Sequence, residues 1–356
     1  MRLLIVSPTY WNVDGIKGGA ERYVRELALA LYRSQKFSSV RVVTYSSKIE
    51  DLLIDDGLEV EIHRTTFVND NPSNPVATFR SLFRFDYDVV YIHQFHTWIT
   101  MDFSLWSLIT RKKVILTDHN GGGWCFNRQL KINWFIDHFF ATSPINATEL
   151  NLKFRKTSFI WGGVDLLNFS YKKECEIQSD VLFVGRLKDI KGTQKICEIL
   201  EKVSSQGRIT FAYTLPSSDE ERRNEERLLS YNGKIGNWSI QLLCDLHQSD
   251  LVKIYNSHRW TILPSEYRPL GKESLGLTVL ESLACGTAAI CSPDCGIAQF
   301  AQGRQIDFFK VCTDWKKFFE QEYRQNFDRQ EIRTWAEDNL SWNNVAIKIT
   351  QDLGLI

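Results

Sequence analysis

The sequence predicts an α/β protein of two parallel-sheet domains, and three observations carry that prediction. The chain has 356 residues, whereas a single hydrophobic core stops growing at roughly 250–300. Short apolar runs alternate with stretches of helical period, the pattern of crossover units on a parallel sheet. The alternation then restarts near the middle, at Val181–Val184 followed by Gly185.

Element by element, Leu3–Ser7 is a continuous apolar run of the kind a buried parallel strand shows. A loop with Gly15, Gly18 and Gly19 follows. The next helix sets Val24, Leu27, Ala28 and Leu31 on one face at helical spacing. Val40–Tyr45, Val89–His93 and Val114–Thr117 read as further strands of the first half. In the second half Val181–Val184, Ile209–Tyr213, Ile240–Leu243 and Thr261–Leu263 are strands, and the charged Ser218–Leu229 is a solvated helix. A linker at Val164–Lys173 separates the halves, giving domains at 1–168 and 169–340. Trp335–Leu353 is helical in pattern and has no strand partner.

Composition narrows the function classes. Lys and Arg number 43 against 43 Asp and Glu, so a nucleic-acid binder working by bulk positive charge is not expected. At 43% hydrophobic and 24% charged, the chain has a globular composition. The 11 Trp read as core filling. The opening apolar run breaks at Pro8, too short for a signal-peptide core, and no stretch approaches the roughly 20 residues of a spanning helix. Eight Cys lack zinc-like or thioredoxin-like spacing and read as buried thiols of a cytoplasmic protein.

Ligands of parallel α/β sheets bind beyond the carboxyl ends of the strands, and three segments there are candidates. Gly15, Gly18 and Gly19 lie between the first strand and helix, where glycines permit close backbone approach and leave helix N–H groups for an anion. On its own that loop fits a structural turn equally well. Gly185, Arg186, Lys191 and Gly192 follow the strand Val181–Val184. A planar guanidinium and a mobile ammonium between glycines suit two phosphates; surface charge is the alternative. The third segment runs from Pro264-Ser265 through Glu273 to a helix beginning near Gly276 and containing Glu281. The helix start attracts phosphate, and the carboxylates can accept hydrogen bonds from ribose or hexose hydroxyls. Two unrelated surface glutamates are the alternative. Together the parts describe a pocket for a nucleoside diphosphate sugar.

His119 ends the strand Val114–Thr117, and Gly121, Gly122, Gly123 and Trp124 follow it. A histidine there is well placed for a ligand, while Trp124 suits sugar stacking or anchoring of the loop. His93 and His96 also end a strand. Asp86-Tyr87-Asp88 matches a metal-binding D-x-D but stands before a strand without companion ligands, so it reads as a turn leading into it.

Taken as a set, Gly18-Gly19-Ala20-Glu21-Arg22, the Gly-Arg-Leu…Lys-Gly of 185–192, Pro264-Ser265 and Glu273-x7-Glu281 resemble the retaining glycosyltransferases of family four. Their order and spacing extend over nearly the whole chain, including Asp88–His93, Gly163-Val164-Asp165 and Ser341-Trp342. The resemblance implies a GT-B fold, two Rossmann-like domains facing a central cleft, with the tail 341–356 crossing back onto the first, acceptor-binding domain. The second would bind the donor.

The resemblance also implies roles. Arg186 and Lys191 would hold the donor diphosphate, Glu281 the ribose hydroxyls, Glu273 the sugar, and His119 would lie under the sugar near its anomeric carbon. Gly18 and Gly19 would approach the phosphates, with Gly185, Ser274, Leu275, Gly276, Leu277 and Thr278 completing the donor site. The reaction would transfer a hexose, most commonly from a UDP sugar such as UDP-glucose, to a saccharide, polysaccharide-precursor or lipid-linked acceptor. No metal and no cofactor are expected. Nucleotide-sugar 2-epimerase, phosphorylase and non-catalytic carbohydrate or nucleotide binding remain alternatives. Departures from the family pattern are Leu275 in place of an aromatic, Trp161-Gly162 in place of Pro-Asn, Thr214–Ser218 without glycines, and a long Glu266–Lys272 segment. Phe79–Arg84 and Arg111–Lys113 are basic–aromatic candidates for peripheral contact at the inner face of a membrane, although a solvated face is the reading the sequence favours.

Overall fold

The computed structural model describes all residues except 17, 72, 120–122, 267–272, 303, 305 and 356. Gly121, Gly122 and most of the long 266–272 segment therefore lie outside the described residues. The chain divides into two compact units, Met1–Gly163 with Trp342–Ile356, and Val164–Ser341.

The first unit is built on β1 (Arg2–Val6), β2 (Ser39–Ser46), β3 (Asp51–Asp55), β4 (Leu58–Arg64), β5 (Val89–His93), β6 (Lys113–Thr117), β7 (His138–Ala141) and β8 (Thr157–Phe159). They form one sheet in the order β3-β4-β2-β1-β5-β6-β7-β8, parallel except for β3 against β4. Leu3 to Val6 are all buried because helices cover both faces of a parallel sheet, so the strand needs no polar alternation. On one face Leu4 and Val6 join Val90, Ile92, Leu116 and Phe103 in a single cluster. The helix Gly19–Arg33 packs against the tail helix Trp342–Asp352.

The second unit holds β9 (Ser179–Val184), β10 (Gly207–Tyr213), β11 (Lys234–Ile235), β12 (Trp238–Cys244), β13 (His258–Leu263), β14 (Ala288–Cys291) and β15 (Phe309–Val311). Their order is β11-β12-β10-β9-β13-β14-β15, parallel except for β11 against β12. In each sheet the first strand of the unit lies between its successors, β1 between β2 and β5, β9 between β10 and β13. Such a reversal of strand order opens a crevice at the carboxyl edge, where loops diverge and a ligand can enter.

Several expectations are corrected. The units meet at Gly163 and Val164 rather than 168, because Val164 N–H donates to the Leu340 carbonyl at 2.9 Å and Arg333 donates to the carbonyls of Leu166 and Phe169. Those bonds commit 164–169 to the second unit. Trp335–Leu353 is two helices, Arg329–Asn339 and Trp342–Asp352; the break falls where Ser341 bridges Val164. Of the cysteines, Cys244 is exposed and Cys175 half-buried, the remainder buried. Asp86 and Asp88 precede β5, and both carboxylates are engaged by Arg2.

Candidate active site

In the second unit the loop after β9 is held against the loop after β13. A 3-10 turn, Asp189–Lys191, ends at Gly192, which is left-handed with φ 70°. A side chain there would place its Cβ 2.1 Å from the Pro264 carbonyl oxygen, so the two loops approach this closely only over glycine. Glu266 N–H donates to the Ile190 carbonyl at 2.8 Å and completes the stitch. The result brings Lys191 to Glu273: their side chains form an ion pair, 21% and 16% exposed respectively.

Glu273 is fixed through its main chain, whose carbonyl accepts from Gly296 N–H at 2.7 Å, and the Leu275 carbonyl accepts from Ile297 N–H at 2.7 Å. The helix Leu277–Ala284 then begins at Gly276, φ 103°, with no side-chain hydrogen bond capping its first turn. Ahead of Val279, whose N–H donates to the Gly276 carbonyl at 3.0 Å, the helix N–H groups retain their affinity for an anion. Two buried hydroxyls nearby in sequence, Ser265 Oγ and Thr278 Oγ1, have no hydrogen-bond partner among the described residues. Such groups are costly unless a ligand or water satisfies them.

Arg186 has a different neighbour from Lys191. Its guanidinium donates to Ser217 Oγ at 2.6 Å and pairs with Glu221 at 2.7 Å; Arg186 is 47% exposed and Glu221 only 1%. Burial opposes the charge on Glu221, yet the Ser217 N–H and Arg186 outweigh it and hold its carboxyl below the ordinary value. Glu281 is buried to 2%, and one of its oxygens accepts from the Tyr255 hydroxyl at 2.8 Å. Neither Glu221 nor Tyr255 was singled out in the sequence, since neither belongs to a recognisable motif. Gly185 extends the ladder by donating to the Ala212 carbonyl at 3.0 Å.

In the first unit His119, just past β6, meets His93 at the end of β5. His93 Nδ1 lies 3.1 Å from His119 Nε2, and the rings are parallel within 4°. Burial lowers the His119 pKa to about 4; burial and then His119 push His93 well below its ordinary value. Both imidazoles are therefore neutral at pH 7, and one donates to the other. Tyr23 abuts His119 edge-on, with centroids 4.7 Å apart, and also abuts the tail residue Trp342 at 4.9 Å. Trp124 is 57% exposed and packs on Phe126 and Trp98.

Gly18 stands before the helix Gly19–Arg33, but the space beside it is taken. A Cβ at Gly18 would lie 2.2 Å from Glu21 Oε2, and Glu21 Oε1 accepts from Thr9 Oγ1 at 2.7 Å. Glutamate three residues past the N-cap is a sequence signal for such reach-back. A cavity of about 520 Å³ lies at the carboxyl ends of β1, β2 and β4, lined by apolar Ile16 and Phe67 as well as Thr9, Asp14, Lys48 and Asp70.

Two family models match in tandem, Glycosyltransferase Family 4 over residues 17–166 and Glycosyl transferases group 1 over 171–321. No curated protein matches the chain in sequence. Among solved structures, sucrose-phosphate synthase from Thermosynechococcus elongatus is 17% identical with a TM-score of 0.67, covering 98% of this chain and 97% of its own. Anabaena Alr3699/HepE, solved with UDP and glucose, is 14% identical with a TM-score of 0.70, covering 100% of both chains. The catalytic domain of starch synthase IV from Arabidopsis thaliana, bound to ADP and acarbose, is 14% identical with a TM-score of 0.64, covering 98% of each. At these identities the likeness speaks for the fold, while the two models span most of the sequence. The chain belongs to the family 4, group 1 glycosyltransferases, enzymes of the GT-B fold that transfer sugar.

Proposed function

We propose that this enzyme moves a hexose from a UDP-linked sugar to a hydroxyl of a saccharide or lipid-linked acceptor, with retention of configuration and without a metal or other cofactor. The observation that carries the reading is the Lys191–Glu273 pair, set at the reversal point of the second sheet just ahead of an uncapped helix. Breaking a sugar–phosphate bond builds positive charge on the sugar and negative charge on the departing diphosphate. Cations and a helix N-terminus already in place stabilise that negative charge without reorganising. Donor binding exchanges partners: Lys191 turns from Glu273 to phosphate, and the released carboxylate accepts from sugar hydroxyls. Arg186, half exposed on its buried Glu221 anchor, supplies further donors to the same diphosphate. Gly185, Gly276 and Thr278 line the phosphates and Glu281 takes the ribose, while the family resemblance gives neutral His119 of the first unit its role at the sugar. The similarity to HepE, solved with UDP-glucose, supports the choice of uridine.

Release of nucleoside diphosphate from UDP-glucose, with and without acceptor sugars, tests this. Lys191→Ala and Arg186→Ala should each lower turnover by roughly 10²–10³-fold while circular dichroism stays that of the wild type. Undiminished turnover in either variant overturns the diphosphate assignment. Donor consumption that ignores acceptor favours an epimerase, and dependence on free phosphate favours a phosphorylase.

Peripheral attachment to an anionic bilayer is part of the proposal. Phe79 is 82% and Ile109 74% exposed, and ring contacts join Phe79, Phe83 and Trp106. Arg80 and Arg84 are neutralised by Glu50 and Glu61, contrary to the expectation from sequence. The basic complement comes from exposed Arg111 and Lys113, which have no ion pair among the described residues. No helix among the described residues is long and apolar enough to cross a membrane. Sedimentation with phosphatidylglycerol vesicles at low salt, diminished in Phe79→Ser/Ile109→Ser, is the expected result. A wild type that stays in the supernatant refutes the attachment.

A further inference from the structure

A concentration of positive charge with little counter-charge lines a cavity at the opposite edge of the second sheet from Gly185 and Pro264. There, at the amino ends of β9, β10, β12 and β13, a cavity of about 520 Å³ is lined by Arg208, Lys234, Arg259 and Arg324, with Asp180 as its carboxylate among the described residues. The volume suits a small ligand, and the position is one that neither the diphosphate clamp nor the family motifs involve.

The way these cations are held matters more than their number. Arg208 Nη1 donates to the Gln178 carbonyl at 2.7 Å, and Arg324 Nη2 donates to the Gln206 carbonyl at 3.0 Å. Arg324 also lies over the Tyr323 ring, 5.2 Å from its centroid. Carbonyls and a ring face orient a guanidinium without cancelling its charge, and each guanidinium keeps further N–H donors. Asp180 is already engaged: it accepts from Arg208 N–H at 3.0 Å and pairs with Arg259 at 3.3 Å. It neutralises one cation of the four. Lys234 is exposed and makes no side-chain hydrogen bond or ion pair among the described residues. Gln178, Gln206, Asn237 and Ser239 add amide and hydroxyl groups to the wall, the chemistry that recognises sugar hydroxyls.

We propose that this cavity is a second ligand site, for a phosphorylated sugar, with Arg208, Arg324 and Lys234 on the phosphate and the amide wall on the hydroxyls. The anion relieves the mutual repulsion of preoriented cations, and the charge-assisted bonds it forms are the strong kind. The inference stands apart from the donor reading, since it uses none of the same residues.

Calorimetric titration of the whole protein with glucose 6-phosphate at low ionic strength decides it, run on wild type, Arg208→Gln/Arg324→Gln and Lys191→Ala. The expected result is saturable binding in the wild type that survives Lys191→Ala and weakens by about tenfold or more in the double variant. Inorganic phosphate should bind to the same site more weakly. Melting curves that match the wild type establish that the variants fold. Loss in Lys191→Ala with retention in the double variant places the anion in the diphosphate clamp and overturns the proposal. Failure to saturate on the order of 10 mM overturns it too, and equal affinity for inorganic phosphate removes the sugar from it.

Discussion

At the scale of single residues, Glu281 shows how a binding group is held ready. Its carboxylate is 2% exposed and accepts from Tyr255, itself fully buried. Replacing it by alanine leaves the Tyr255 hydroxyl without that partner, a loss of about 1–3 kcal/mol. Glu281→Ala should therefore lower the melting temperature as well as the affinity for UDP, whereas Glu281→Gln should lose affinity and keep most of the stability. An unchanged UDP titration in both would refute the ribose role. The glutamate was legible from its spacing to Glu273; Tyr255 was not, because it comes from another helix, 26 residues away. The histidines divide in the same way. Each reads from sequence as ending a strand, but their contact follows from the register that sets His93 opposite Thr117, two residues before His119. Register is a tertiary property.

At the scale of elements, the loops after β9 and β13 are the site, and Gly192 decides their separation. An L-residue there takes a left-handed conformation costing roughly 1–2 kcal/mol and collides with Pro264 besides. Gly192→Ala should cost more than about 2 kcal/mol in a urea melt and lower turnover; a fully stable, active variant would show that the stitch is dispensable. The central strands were legible because a strand covered by helices on both faces needs apolar residues in unbroken succession, as Leu3 to Val6 have them. Edge strands were not. β3 exposes Leu52, Leu53 and Ile54, so neither alternation nor burial marks it, and β15 is three residues long. The break between the last two helices was hidden too, since it depends on Ser341 meeting Val164.

At the scale of the whole molecule, zero net charge conceals uneven placement. Arg186 and Lys191 have buried or half-buried carboxylate partners, while Arg208, Lys234 and Arg324 share a cavity with little counter-charge. Composition counts charges and is blind to that distribution. Histidines set the response to acid. Burial lowers His63, His119, His138 and His258 each to about 4. These groups take up protons in the unfolded chain near pH 6.5 and in the folded protein only near 4. Between those values the unfolded state binds more protons, so stability falls as pH falls. The melting temperature should drop steadily from pH 7 to pH 4.5, and a flat profile over that range would contradict the burial of these rings.

The first unit is discontinuous: Trp342, at the far end of the chain, packs on Tyr23 and against Gly163, where a side chain would strike its ring at 2.7 Å. During synthesis, 178 residues of the second unit, Val164 to Ser341, emerge between the two halves of the first. The second unit can be complete while the first still lacks its closing helix. Tyr23, which abuts His119, gains its Trp342 neighbour only after the whole second unit has emerged, so the surroundings of the histidine pair are completed late. A ribosome that stalls before residue 342 would release a chain with a finished second unit and an unfinished first.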